Sequence, residues 1–140
     1  MIFARAFCPA DLMALALQPQ QRQIFLATTD YAEALCSAGP AYTAFAPTGE
    51  LVGCLGLMHQ WDGYARAYAF LGENAGKHML SLTRQIRAWL DQRPERRIDA
   101  AVDNGFPQAY KWCRALGFKR EGPLEKYFGD RDCTQYVRIR

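Results

Sequence analysis

The chain has 140 residues, half of them hydrophobic and 22% charged. That is one domain's worth of sequence, and the mixture folds rather than staying disordered. A net charge of +3 argues against a nucleic-acid binder, and no apolar run approaches the roughly 20 residues of a membrane span.

Ile2 to Phe7 alternates apolar with small or charged residues and predicts a short strand. Pro9, Ala10 and Asp11 then open a helix, with Leu12 and Leu15 on its apolar face and an end near Pro19. Gln20 to Ser37 reads as a second helical region. Ala27, Tyr31, Ala34 and Leu35 share its face, and Gly39-Pro40 stops it. The period then becomes extended. Tyr42–Phe45, Leu51–His59 and Tyr64–Leu71 read as three antiparallel strands, turning at Pro47–Glu50 and at Gln60–Gly63. In the third, Tyr64, Arg66, Tyr68 and Phe70 lie on one side.

Gly72 to Lys77 is the abrupt switch from strand to helix. Met79, Leu82, Ile86 and Trp89 recur at helical spacing and are expected to face the core. Arg93-Pro94 ends that helix. Arg97–Val102 is a strand, Asp103–Pro107 a loop, and Gln108–Leu116 a short helix closed by Gly117. Phe118–Glu121 and Thr134–Ile139 read as two last strands around Gly129–Asp132. This order predicts a single α/β (α+β) domain over residues 1–140. Its centre is a mixed, mostly antiparallel sheet of about six to seven strands, with helices on both faces.

Five cysteines are scattered at positions 8, 36, 54, 113 and 133, with no C-x-x-C pair, and the histidines number two. No metal site or disulfide framework is expected from them. The start, Met1 to Cys8, lacks the charged-then-apolar order of a signal peptide, so a cytoplasmic chain is expected. Residues 1–70 hold three basic and five acidic side chains, whereas residues 71–140 hold fourteen and nine. An anionic ligand would meet the second half first. Arg96, Arg97, Lys111, Arg114, Lys119 and Arg120, beside Trp112, read as a solvated face rather than a nucleic-acid surface.

The order of elements resembles the GNAT acetyltransferase superfamily over nearly the whole chain. The likeness is sharpest from Ile98 to Phe128. Ile98 to Asn104 looks like the family's fifth strand ending in an asparagine. Ala109 to Phe118 looks like its next helix and its Leu-Gly-Phe exit. The resemblance implies an N-acyltransferase that uses acetyl-CoA on an amine, either a small molecule or a protein. It places the CoA pyrophosphate at the turn Ala75-Gly76-Lys77-His78, with Asn104 as a further cofactor contact. A helix start offers free N–H groups and the positive end of a dipole, so the chemistry is sound. The family's motif there is Gln or Arg, two residues, Gly, one residue, then Gly or Ala. Here Gly76 matches, while Glu73 and His78 depart. Many members carry a tyrosine four residues before the Gly-Phe pair, where it protonates the departing thiolate. Cys113 holds that position, and Tyr110 lies one helical turn earlier. Tyr68 stands in the fourth strand, where members sometimes carry a base.

A narrower likeness, from Gly76-Lys77 to Ala115-Leu116-Gly117, is to acetyltransferase-like proteins of tailed phages. It implies an alternative: a pseudoenzyme with a degenerate cofactor loop. Such a protein would act through contacts with other phage virion proteins and would reside in the virion.

Overall fold

The computed structural model describes residues 1–19, 21 and 28–140. Strand pairings run in the order β1-β2-β3-β4-β5-β7-β6, a seven-stranded mixed and open sheet with helices, as the sequence predicts. The chain divides into two compact units: Met1–His59 with Ala67–Leu82, and Gln60–Arg66 with Thr83–Arg140.

In the first unit, β1 (Phe3–Ala6) pairs antiparallel with β2 (Ala41–Phe45), from Phe3 opposite Phe45 to Ala6 opposite Tyr42. β2 pairs antiparallel with β3 (Leu51–Trp61). Between β1 and β2 come α1 (Pro9–Ala14) and α2 (Thr29–Ala38). Pro9 starts α1 because its missing N–H is an orphan there anyway. Thr28 caps α2, its hydroxyl accepting from the Tyr31 N–H at 3.1 Å. The core gathers Phe7, Leu12, Leu15, Leu17, Ala32, Leu35, Cys54 and Phe70. The predicted face of α2 needs correction: Ala32 and Leu35 are buried, while Tyr31 and Ala34 are exposed. Ala27 and the rest of positions 20 and 22–27 in the expected Gln20–Ser37 helix lie outside the described residues.

One polar group ties this unit together. Asp11 is only 7% exposed. Arg5 grips its two oxygens at 2.8 Å each, the Thr43 hydroxyl donates at 2.6 Å, and the Cys8 N–H donates at 3.0 Å. The acid that the sequence assigns to a helix start thereby fastens β1 and β2 to α1. Gly56 marks a close crossing. A Cβ there would meet the Pro40 carbonyl oxygen at 2.5 Å and the Tyr68 hydroxyl at 2.7 Å.

β4 (Tyr64–Leu71) leaves the hairpin at Asp62-Gly63. In the second unit its first residues pair in parallel with β5 (Arg97–Asp103), from Tyr64 opposite Arg97 to Arg66 opposite Asp99. β5 pairs antiparallel with β7 (Arg131–Ile139), and β7 with β6 (Lys119–Phe128). β6 is longer than the predicted Phe118–Glu121. Its register against β7 shifts between Arg120 and Gly122 and between Leu124 and Phe128, while Pro123 stays opposite Thr134. A proline is tolerated there because β6 is an edge strand. α4 (Pro107–Ala115) is tied to α3 (Met79–Asp91) by a 2.9 Å bond from the Trp112 indole to Thr83. Arg87 also donates to the Ala115 carbonyl at 2.8 Å.

α3 differs from expectation at two core positions. Leu82, Ile86 and Leu90 are buried, but Met79 and Trp89 are only half-buried. The Arg93 guanidinium lies 5.4 Å from the Trp89 ring centre, so the indole is a lid for a cation rather than a core anchor. Leu82→Ala should therefore cost about 3 kcal/mol and Trp89→Ala less than about 2. Paired denaturant titrations will show whether that order holds.

Candidate active site

The first candidate region follows β4. The chain turns at Gly72, whose N–H donates to the Val52 carbonyl at 2.7 Å. A 3₁₀ turn, Ala75–His78, then runs directly into α3. Ala75 is fully buried and anchors the turn, while Gly76 and Lys77 are exposed. Asn74 occupies the cap position, yet its side chain makes no cap bond. Its amide instead donates to Glu50 at 3.1 Å. The turn thus starts without the side-chain acceptor that usually satisfies such N–H groups. A Cβ on Gly76 would meet nothing within 4 Å, so the outer side of the turn is open. His78 is half-buried, and its Nε2 has no hydrogen-bond partner among the described residues. Glu73 is exposed, and its N–H donates to the Ala16 carbonyl at 2.8 Å.

Tyr68 belongs to the same unit. Its ring stands 5.7 Å from that of Phe70, and its hydroxyl is buried with no hydrogen-bond partner among the described residues. Burial pushes the phenol well above its usual value, so it keeps its proton at any ordinary pH.

The second region lies at the end of β5. The Asn104 side-chain carbonyl accepts from the Tyr110 hydroxyl at 3.0 Å and from the Thr134 hydroxyl at 2.7 Å. The Tyr110 ring leans on that of Tyr136, centroids 5.9 Å apart. Burial raises the Tyr110 phenol, leaving a protonated hydroxyl held in a fixed direction. Asp103 props the loop, accepting from the Gly105 N–H at 2.8 Å and pairing with Arg131. Burial alone would raise its carboxyl, but the Arg131 and Gly105 bonds outweigh that and lower it. Cys113 is 8% exposed, and burial pushes its thiol up to about 11. A thiol so placed packs as a small hydrophobe.

The structure therefore joins Tyr110 to Asn104, two residues that the sequence reading names separately. Thr134 completes that group and carries no sequence signal, since a threonine in a strand is ordinary. Among the described residues no group of His, Cys, Asp and Glu could hold a metal ion. No described helix is long and apolar enough to cross a membrane.

No family model matches the sequence, and no curated protein matches it. Solved structures do match. One is spermidine N-acetyltransferase from Vibrio cholerae in complex with CoA and spermine, with a TM-score of 0.74 and 16% identity, covering 99% of this chain and 95% of that one. Another is a GNAT superfamily phosphinothricin acetyltransferase from Sinorhizobium meliloti in complex with AcCoA. It has a TM-score of 0.73 and 15% identity, covering 99% of this chain and 88% of that one. The fold is that of the GNAT acetyltransferases. At this identity the likeness is one of architecture, and the chemistry has to be argued from the residues.

Proposed function

We propose that the protein is an acetyl-CoA-dependent N-acetyltransferase acting on an amine in the cytoplasm. One observation carries the reading: the uncapped 3₁₀ turn Ala75–His78, open on its outer side at Gly76 and leading into a long helix. Free N–H groups at a helix start are a ready anion site, and a pyrophosphate is the anion that the fold's relatives bring. The Ala75 N–H already donates to the Gly72 carbonyl at 3.1 Å, so the Gly76 side of the turn would hold the pyrophosphate, with Lys77 adding a charge. Acetyl-CoA supplies an acyl group activated as a thioester, which an amine accepts with release of a thiol. Tyr110 would protonate the departing thiolate by turning its hydroxyl away from Asn104, to which it donates at 3.0 Å. Cys113 takes no part in this account, because a buried thiol is a poor proton donor to anything outside its packing. Tyr68 takes no part either, because its hydroxyl is buried.

Tyr110→Phe should lower kcat by about 10- to 100-fold while leaving KM for acetyl-CoA nearly unchanged, as loss of a proton donor should. A thiol-release assay with varied acetyl-CoA reads both constants. An unchanged kcat would remove Tyr110 from the mechanism.

A second reading keeps the fold without turnover, as in a virion protein bound to other virion proteins. Its support is Cys113, buried where the family's proton donor stands, together with the acidic Glu73 beside the turn. A folded wild type that binds no acetyl-CoA would favour it.

A further inference from the structure

All five cysteines carry free thiols, and the fold sorts them into two groups. Cys54, Cys113 and Cys133 are buried. Burial pushes the Cys54 thiol up to about 12 and the Cys113 thiol up to about 11, and it raises Cys133 as well. Buried thiols of this kind are inert packing groups. Cys8 and Cys36 are exposed, and both belong to the first unit. Neither enters the acyl transfer proposed above.

Far apart in sequence, these two thiols meet at one carbonyl. Cys36 lies in α2, and its thiol donates to the Phe7 carbonyl at 3.7 Å. Cys8 is the residue that follows this carbonyl, at the cap position of α1. Across a trans peptide a carbonyl oxygen lies about 2.8 Å from the next Cα. The Cys36 sulfur therefore stands within about 6.5 Å of the Cys8 Cα. A disulfide places the partner sulfur about 4 Å from a Cα, which leaves a gap of about 2.5 Å at most. One change of side-chain rotamer moves a sulfur by about 3 Å, enough to close it. The Arg5 guanidinium, held on both oxygens of Asp11, also faces the Cys8 side chain. A fixed cation there stabilises the negative charge that a sulfur carries as it attacks.

We propose that Cys8 and Cys36 are a redox-modification site, joined by a reversible disulfide that a hydroperoxide drives. The Cys8 sulfur attacks the peroxide oxygen. The O–O bond breaks, water leaves when the oxidant is hydrogen peroxide, and Cys8 becomes a sulfenic acid. The Cys36 sulfur then attacks the Cys8 sulfur. The S–S bond forms, the S–O bond breaks, and the hydroxyl leaves as a second water with the Cys36 thiol proton. Two electrons pass from the two thiols to the peroxide, and a dithiol reductant returns them. The bridge joins the cap residue of α1 to α2. It stands apart from the acyltransferase reading, since neither sulfur takes part in that chemistry.

Mass spectrometry of the whole protein tests the bridge. The reduced protein is exposed to a slight excess of hydrogen peroxide, its remaining thiols are alkylated, and it is digested without reductant. The intact chain should lose the mass of two hydrogens, and the digest should contain the Cys8 and Cys36 peptides linked. Dithiothreitol should separate them again. Cys8→Ser and Cys36→Ser, both at exposed positions, should keep the wild-type melting temperature and form no bridge within the chain. The bridge should also form about 10-fold or more faster in the native protein than in concentrated urea, because the fold supplies the proximity. Separate oxidation of Cys8 and Cys36 with no linked peptide overturns the proposal. So does a bridge from either one to Cys54, Cys113 or Cys133, or a dimer linked between chains in place of the internal bridge. Equal rates in native and urea-unfolded protein overturn it as well, since the geometry would then contribute nothing.

Discussion

Asp11→Ala should destabilise the protein by about 3 kcal/mol at neutral pH, among the largest losses expected of any single polar residue here. The substitution leaves the Thr43 hydroxyl without its acceptor in a position where Thr43 is 0% exposed. It also strips both bonds from Arg5 and the one to the Cys8 N–H. The effect should depend on pH in a definite direction. Burial pushes the Asp11 carboxyl up, but the bonds from Arg5, Thr43 and Cys8 outweigh it and hold the carboxyl below its ordinary 3.8. A depressed folded value means stability that is fully present above the unfolded value and lost as pH falls through the folded one. The gap between wild type and D11A should therefore be full at pH 7 and shrink below about pH 4. Urea titrations at pH 7 and near pH 3 measure both gaps. A constant gap would mean that Asp11 acts through packing alone.

Much of the fold was legible in the sequence because its punctuation is strong. Tyr64–Leu71 is read as a strand from alternation alone, and the structure gives it the same bounds. Gly39-Pro40, Asp62-Gly63 and Gly117 each end an element where their chemistry requires. The errors have physical causes. Trp89 falls on the apolar side of the wheel by spacing, but spacing says nothing of a cation placed above the ring. The predicted strand stops at Glu121, whereas β6 runs to Phe128 through register shifts that no local pattern encodes. The site was legible only in parts. Gly76 and Tyr110 stand out by motif and position. The Asn104–Thr134 bond joins residues 30 positions apart, which no local pattern encodes.

Gly76→Val should abolish measurable acetyl-CoA binding while leaving stability nearly intact. A side chain at Gly76 meets no protein atom within 4 Å, so the fold has no reason to object, and valine is a slightly better helix former than glycine. The same branched side chain would occupy the open side of the turn, where a pyrophosphate must approach the N–H groups. Losing two or more charge-assisted bonds corresponds to a weakening of about 100-fold or more. Glu73→Gln should act in the opposite sense, strengthening binding by removing a negative charge near the turn. That gain should fade with added salt, since exposed charges are screened over roughly 10 Å at 0.1 M.

Isothermal titration of the wild-type protein with acetyl-CoA, repeated on G76V, tests the central claim most directly. Saturable binding by the wild type, lost in a G76V protein that still melts at nearly the same temperature, is the predicted result. No binding by the wild type, or equal binding by a folded G76V, would contradict the assignment of the Ala75–His78 turn as an acetyl-CoA site.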